Sequence, residues 1–194
     1  MTQPGYTLFD TTLGLCGVAW TADGIRAVAL PETRIEQSRR RLGRTGPETQ
    51  EPPPAVVAAI SEMQALLNGE PRTLGGIALD LAGHCDLNLQ VWRVTRAIPP
   101  GETLTYGEVA RRIGKPGAAR AVGRALGENP CPIIIPCHRI LAAGGGTGGF
   151  SGGEGVSTKL RMLSIERART TPEPSLFDDL PLAARPEQRP PRNA

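Results

Sequence analysis

The chain has 194 residues, 39% apolar and 21% charged, with a formal net charge of +3, the make-up of a globular protein of one large or two small domains. Its longest apolar runs, Ala55 to Ile60 and Ile133 to Ile135, are too short to span a bilayer. The start Met1-Thr2-Gln3-Pro4 lacks a charged and apolar leader, so a cytoplasmic protein with no membrane partner is expected. Four cysteines (Cys16, Cys85, Cys131 and Cys137) without a CxxC pair exclude a disulfide scaffold. The two histidines, His84 and His138, each adjoin a cysteine, an arrangement that rarely converges on one ion, so no metal and no cofactor are expected.

Charge is unevenly spread. Residues 1 to 82 carry seven arginines against nine acids, residues 83 to 170 twelve Lys and Arg against six acids, and residues 171 to 194 three against four. The middle section is basic, and nearly all its cations are arginine, whose flat fork suits phosphate and base stacking.

In chain order, Tyr6 to Ala29 reads as a hairpin, with strands over Gly14 to Trp20 and Ile25 to Ala29 around the turn Ala22-Asp23-Gly24. Five arginines crowd residues 34 to 44. After Pro52-Pro53-Pro54, the spacing of apolar residues predicts a helix over Ala55 to Leu67, stopped at Asn68-Gly69, and Ile77 to Leu81 reads as a strand. These elements make residues 1–82 a small α/β domain. Residues 83–170 read as a second, mostly α domain. There Leu87 to Ile98 form an amphipathic helix halted by Pro99-Pro100-Gly101, and Thr105, with Glu108 three residues on, caps a helix through Ile113. After Gly114-Lys115-Pro116-Gly117, a second short helix runs from Ala118 to Gly127. The pair makes a helix-turn-helix of winged-helix type, whose second helix is mostly alanine and glycine with Arg120 and Arg124 as its long side chains. A packed helix with two solvated arginines satisfies the same pattern.

Asn129-Pro130-Cys131-Pro132-Ile133-Ile134-Ile135-Pro136-Cys137-His138-Arg139 is the strongest local signal. Three isoleucines predict a short buried active-site strand, ended by Pro136 just before a thiol, an imidazole and a guanidinium. A cysteine becomes a nucleophile when a base or cation lowers its pKa, and His138 and Arg139 offer one of each. Neighbours on a strand point oppositely, so a bridging water or a bend is needed to couple thiol and imidazole. Taken alone, a Cys-His dipeptide favours a buried inert cysteine, and the longer string reverses that preference.

The longer string resembles the O6-alkylguanine-DNA alkyltransferases, or methylated-DNA-protein-cysteine methyltransferases. The resemblance is carried by Ile98-Pro99-x-Gly101-x-Thr103-x-x-Tyr106-Gly107, Ala119-Arg120-Ala121-Val122-Gly123, Asn129-Pro130, Ile135-Pro136-Cys137-His138-Arg139, Gly149-Phe150-Ser151-Gly152-Gly153 and Lys159…Leu163…Glu166. These blocks follow the family's order from Ile98 to Glu166. The resemblance implies DNA repair by direct reversal: Cys137 accepts the alkyl group of an O6-alkylguanine, and of an O4-alkylthymine where the pocket admits one, in a single irreversible transfer. By the same resemblance His138 draws the thiol proton through water, Glu166 holds the imidazole, and Tyr106 donates to the guanine as its oxygen leaves. The backbone carbonyls of Cys137 and Ile140 accept the guanine amino group. Ser151 bonds O6, Phe150 rims the pocket, and Asn129 ties the helix-turn-helix to the active-site strand. Arg120 fills the space of the flipped base. Thr105, Ala118, Ala119, Ala121, Gly123 and Arg124 meet the DNA through its minor groove.

This sequence departs from the pattern at Leu87, where many relatives have phenylalanine, and at Phe150, where tyrosine is common and a hydroxyl is therefore lost. The implied partner is double-stranded DNA bearing O6-alkylguanine, bound by a monomer. A rival reading, a non-enzymatic protein that recognises alkylated DNA, fits relatives that replace the acceptor cysteine, and this chain keeps Cys137. The proline-rich tail 171–194 reads as disordered. Its Ser175 to Leu180 segment resembles the short motifs that bind the bacterial sliding clamp, with Leu176 and Phe177 as the contact residues.

Overall fold

A computed structural model describes residues 3–168. The tail and its proposed clamp contact through Leu176 and Phe177 lie outside the described residues. The N-terminal section is a three-stranded antiparallel meander, β1 (Gly5–Thr11), β2 (Gly14–Thr21) and β3 (Gly24–Ala29), in that order. The expected hairpin is β2–β3, and β1 adds a third strand to it. Both faces of the middle strand are covered. Cys16, Val18 and Trp20 enter the main core with Val56, Ala59 and Met63 of α2 (Pro54–Leu67), while Ala19 packs with Tyr6, Ala29 and Leu42 beneath α1 (Ile35–Leu42). Proline opens α2, where its missing N–H and fixed φ suit the first helical turn.

Ile77 to Leu81 is not the strand predicted. Only Leu79 bridges Ile25, through Ile25 N to Ala78 O (2.9 Å) and Asp80 N to Ile25 O (2.9 Å). Beyond it the Asp80 carboxylate accepts from Ala82 N (3.1 Å), Thr21 Oγ1 (2.8 Å) and Arg26 Nη1 (3.1 Å), and these bonds turn the chain off the ladder. The approach depends on Gly24: at φ +143° a Cβ there would lie 2.6 Å from Ala78 O. Gly24→Ala is expected to cost about 1–3 kcal/mol of stability, read from the urea midpoint at unchanged m.

The second section places α3 (Asp86–Arg96), α4 (Tyr106–Arg112) and α5 (Ala119–Gly127) against one another, with the Trp92 indole donating to Ala125 O (2.8 Å). Thr105 and Glu108 form the expected capping box at the start of α4. A two-residue parallel pair, β4 (Leu104–Thr105) and β5 (Ile140–Leu141), leads into α4, and α6 (Val156–Ile165) closes the described chain. The buried apolar residues form one cluster from Phe9 to Met162, so both sections share a core. No helix among the described residues is long and apolar enough to cross a membrane.

The predicted active-site strand Ile133 to Ile135 is a turn instead. All three isoleucines are buried, but Ile133 adopts φ +74°, and Ile135 N donates to Cys131 O (2.8 Å). Pro130, Pro132 and Pro136 remove ladder donors, and Asn129 takes over the backbone groups. Its Oδ1 accepts from Cys131 N (3.0 Å) and its Nδ2 donates to Ile135 O (2.9 Å). The strand here is β5, just past the thiol.

Candidate active site

The bend that the Cys137–His138 pair requires is built by Pro136. At φ −79° and ψ 67° it centres an inverse γ-turn closed by Cys137 N to Ile135 O (2.8 Å). A 3₁₀ turn, Cys137–Arg139, follows, closed by Arg139 N to Pro136 O (2.9 Å). Successive side chains of such a turn fan out by about 120°. Cys137 is thus left partly exposed, while His138 and Arg139 are buried.

Glu166, at the end of α6, receives both buried groups. His138 Nε2 lies 3.0 Å from its Oε1, Arg139 Nε donates to Oε2 (2.8 Å) and Nη2 to Oε1 (2.6 Å), and Arg139 Nη1 donates to Ile98 O (2.5 Å). Burial alone would raise the Glu166 carboxyl, but the hydrogen bonds from His138 and Arg139 outweigh it and bring the pKa down to about 2. Burial also pushes the His138 imidazole below its ordinary range, against the pull of Glu166. An ionised carboxylate is an acceptor only, so Nε2 carries the proton of the neutral ring. Nδ1 is then a buried lone pair with no hydrogen-bond partner among the described residues.

Burial pushes the Cys137 thiol up, opposed by the Asn129 side chain, Lys159 and the backbone N–H groups of Cys137 and His138. The resting group is a neutral thiol among donors that favour its thiolate. Lys159 of α6 is fully buried, donates Nζ to Ile140 O (2.5 Å), and is lowered by burial to about 8 although Cys137 raises it. The Ile140 carbonyl that the family pattern assigns to the guanine amino group therefore already holds one donor.

Cys137 opens on a cleft of about 1040 Å³, whose walls include Tyr106, Ala119, Arg120, Gly123 and Asn129, and the loop residues Phe150 and Ser151. Burial, and then Cys137, raise the Tyr106 phenol, which keeps its proton and donates to Gly149 O (3.4 Å). Gly148, at φ +68°, lets this loop lie on the ring: a Cβ there would sit 2.9 Å from the Tyr106 hydroxyl. Not every predicted site residue lines the cleft. The Thr105 hydroxyl is engaged with Glu108 as a cap (2.7 Å), Ala118, Ala121 and the exposed Arg124 lie off its walls, and the Ile140 side chain is buried. His138 and Glu166 are likewise absent from its lining. Sequence reasoning offered Arg139 as a candidate cation and quoted Lys159 in the family pattern, but it missed the bidentate bonding of Arg139 to Glu166 and the burial of Lys159 against Ile140 O. His84 also lines the cleft, its ring packed edge-on against Trp92 at 4.8 Å. No group of three His, Cys, Asp or Glu suited to a metal occurs among the described residues.

The chain is similar to known proteins over most of its length. Residues 86–168 match the sequence profile described as "6-O-methylguanine DNA methyltransferase, DNA binding domain". The chain is 44% identical over 173 residues to the methylated-DNA–protein-cysteine methyltransferase of Mycobacterium tuberculosis, covering 89% of this chain and 98% of that protein. It is 35% identical over 150 residues to the protein of that name from Methanothermobacter thermautotrophicus, covering 77% and 78%. The crystal structure of Mycobacterium tuberculosis OGT in complex with DNA superposes with a TM-score of 0.68 at 35% identity, over 84% of this chain and 92% of that one. A thiol flanked by a buried imidazole–carboxylate pair, with these similarities along nearly its whole described length, means that the chain belongs to the methylated-DNA–protein-cysteine methyltransferase family.

Proposed function

We propose that this protein repairs DNA by moving the alkyl group of an O6-alkylguanine irreversibly onto Cys137. The observation that carries the reading is the partly exposed Cys137 on the cleft floor, next in sequence to a buried neutral imidazole whose Nε2 is held by Glu166 and whose Nδ1 is unpartnered. Nδ1 takes the thiol proton through a water. The sulfur attacks the alkyl carbon, the carbon–oxygen bond breaks with its electron pair moving to O6, and a thioether forms. Tyr106 donates to the base as that charge develops. The proton gained by His138 balances the one that the released guanine takes up at its ring nitrogen. Glu166 keeps the ring in the acting tautomer and stabilises the imidazolium.

A stacked base cannot reach the cleft, so the nucleotide flips out at a cost of about a few kcal/mol. Arg120, exposed on α5, fills its place. The α4–α5 pair acts as a helix-turn-helix whose Ala119, Ala121 and Gly123 allow close approach to the minor groove, with Ala118, Arg124 and the cap Thr105 beside them. Ser151 bonds O6, Phe150 closes the rim, and Asn129 anchors the turn that presents Cys137. In this reading residues 1–82 and 83–170 are the two domains, and the protein acts as a cytoplasmic monomer without a cofactor. A recognition-only role would leave the thiol and its buried base without a use.

The test is transfer of label from a duplex carrying one O6-[³H-methyl]guanine. Label in protein should saturate at one equivalent, and Cys137→Ala should take up none while still binding the duplex. Repeated turnover, or uptake by the alanine variant, would reject the mechanism.

A further inference from the structure

One cluster plays no part in this chemistry. Of the seven arginines in residues 1 to 82, five (Arg34, Arg39, Arg40, Arg41 and Arg44) fall within eleven residues beside a single acid, Glu36, in a section where acids otherwise predominate. All five are exposed. α1 is fixed by the fully buried Leu42, and Arg41 and Thr45 beside it form part of the wall of the cleft that contains Arg120 and Cys137. Arg34 is the N-cap of α1, with extended backbone, and stands at the start of the same helix. Arg44 follows in the turn closed by Thr45 N to Leu42 O (2.9 Å).

Few of these charges are committed. Arg39 pairs with Glu48 (3.3 Å), and Arg41 gives one nitrogen to Glu32 (3.0 Å), whose other oxygen accepts from Ser38 Oγ (3.0 Å). A guanidinium has five donors, so Arg41 keeps others free for the cleft. The side chains of Arg34, Arg40 and Arg44 have no ion-pair or hydrogen-bond partner among the described residues. Like charges this close repel, and an anion relieves that repulsion. The planar fork of arginine matches two phosphate oxygens, and phosphate contacts carry no sequence information, which suits repair in any sequence context.

We propose that Arg41, in the N-terminal wall of the cleft, and Arg34 and Arg44, exposed at the two ends of the same helix, grip the phosphodiester backbone of the damaged duplex. This rests on reading the cleft as the entry point of the flipped nucleotide. The N-terminal section thereby becomes part of the DNA-binding surface instead of a support for the catalytic section alone.

The test is duplex affinity by fluorescence anisotropy across a salt series, with full-length protein, O6-methylguanine duplex and the undamaged duplex. The slope of log K against log salt should fall by about 1 for each arginine removed, so by about 2 in Arg34→Ala/Arg44→Ala and about 3 when Arg41→Ala is added, equally on both duplexes. The double variant removes only side chains without a partner in the protein, so its fold does not depend on the Arg41–Glu32 pair. Slopes equal to that of the unaltered protein, in variants with unchanged unfolding midpoints, would overturn the proposal. Methyl transfer by the unaltered protein, assayed in parallel, separates the two ideas. Its absence defeats the DNA-repair reading, whereas transfer with unchanged variant slopes defeats only the arginine grip.

Discussion

Glu166→Gln should lower the single-turnover transfer rate about a hundredfold and destabilise the fold by about 3–5 kcal/mol. Both effects come from one carboxylate. The amide keeps the shape but loses the charge that Arg139 and His138 share, and Arg139 is left buried opposite a neutral group. Isosteric replacement of a buried ion-pair member is costly because the desolvated partner has nowhere to go. The pH dependence separates this from plain destabilisation. In the unaltered protein the Glu166 carboxyl, at about 2, is depressed from its ordinary value of 4.5, so its stabilisation is complete above about pH 4.5 and is lost as pH falls toward 2. His138 is also depressed, so it stays neutral in the fold and the transfer rate falls only on acidification below the ordinary imidazole range. Removing the carboxylate removes the influence that raises His138. The acid limb of the rate profile should therefore shift to lower pH while the plateau drops. Quenched-flow rates between about pH 4 and 8, with urea unfolding at each pH, measure both. A plateau and acid limb matching the unaltered protein would refute the role assigned to Glu166.

Arg120→Ala is expected to slow transfer from duplex DNA by about 30- to 100-fold, and to slow it far less with free O6-methylguanine base. The ratio is what matters. Arg120 is exposed on α5, lines the cleft, and its side chain makes no hydrogen bond or ion pair among the described residues, so its loss leaves the fold intact. In the proposed mechanism its work begins only when a nucleotide leaves the stack. Two to three kcal/mol of the flipping cost, about a factor of 10 for each 1.4 kcal/mol, is the scale of effect expected. Equal losses on duplex and free base would show that Arg120 touches the chemistry and not the flip.

Where local rules dominate, the sequence was legible. The Asp23-Gly24 turn, the proline-opened helix ending at Leu67 and the Thr105–Glu108 capping box are short-range patterns with one physical solution, and they appear within a residue or two. Where long-range contacts decide, it was not. The apolar run Ile133 to Ile135 looks like a strand by composition, yet Asn129 and three prolines satisfy its backbone as a turn, and burial alone cannot tell the two apart. Ile77 to Leu81 alternates like a strand but is diverted by Asp80, whose partners Thr21 and Arg26 are more than fifty residues away in sequence.

The site divides in the same way. Cys137, His138 and Tyr106 stand in a recognisable string, and the ordered family pattern also supplied Glu166. That Arg139 would share the carboxylate with His138, and that Lys159 would be buried against Ile140 O, follows from where α6 packs, which no local motif records. The inverse γ-turn at Pro136 is an intermediate case. Proline and the need for a bend were both visible, but the conformation that turns Cys137 to the cleft and His138 inward was not.

Intact-protein mass after incubation with a duplex containing one O6-methylguanine, followed by peptide mapping, tests the central claim most directly. The account predicts a stoichiometric gain of one methylene, confined to the peptide that contains Cys137, with Cys16, Cys85 and Cys131 unmodified. No gain despite tight binding to the same duplex, or a gain on another cysteine, would contradict it.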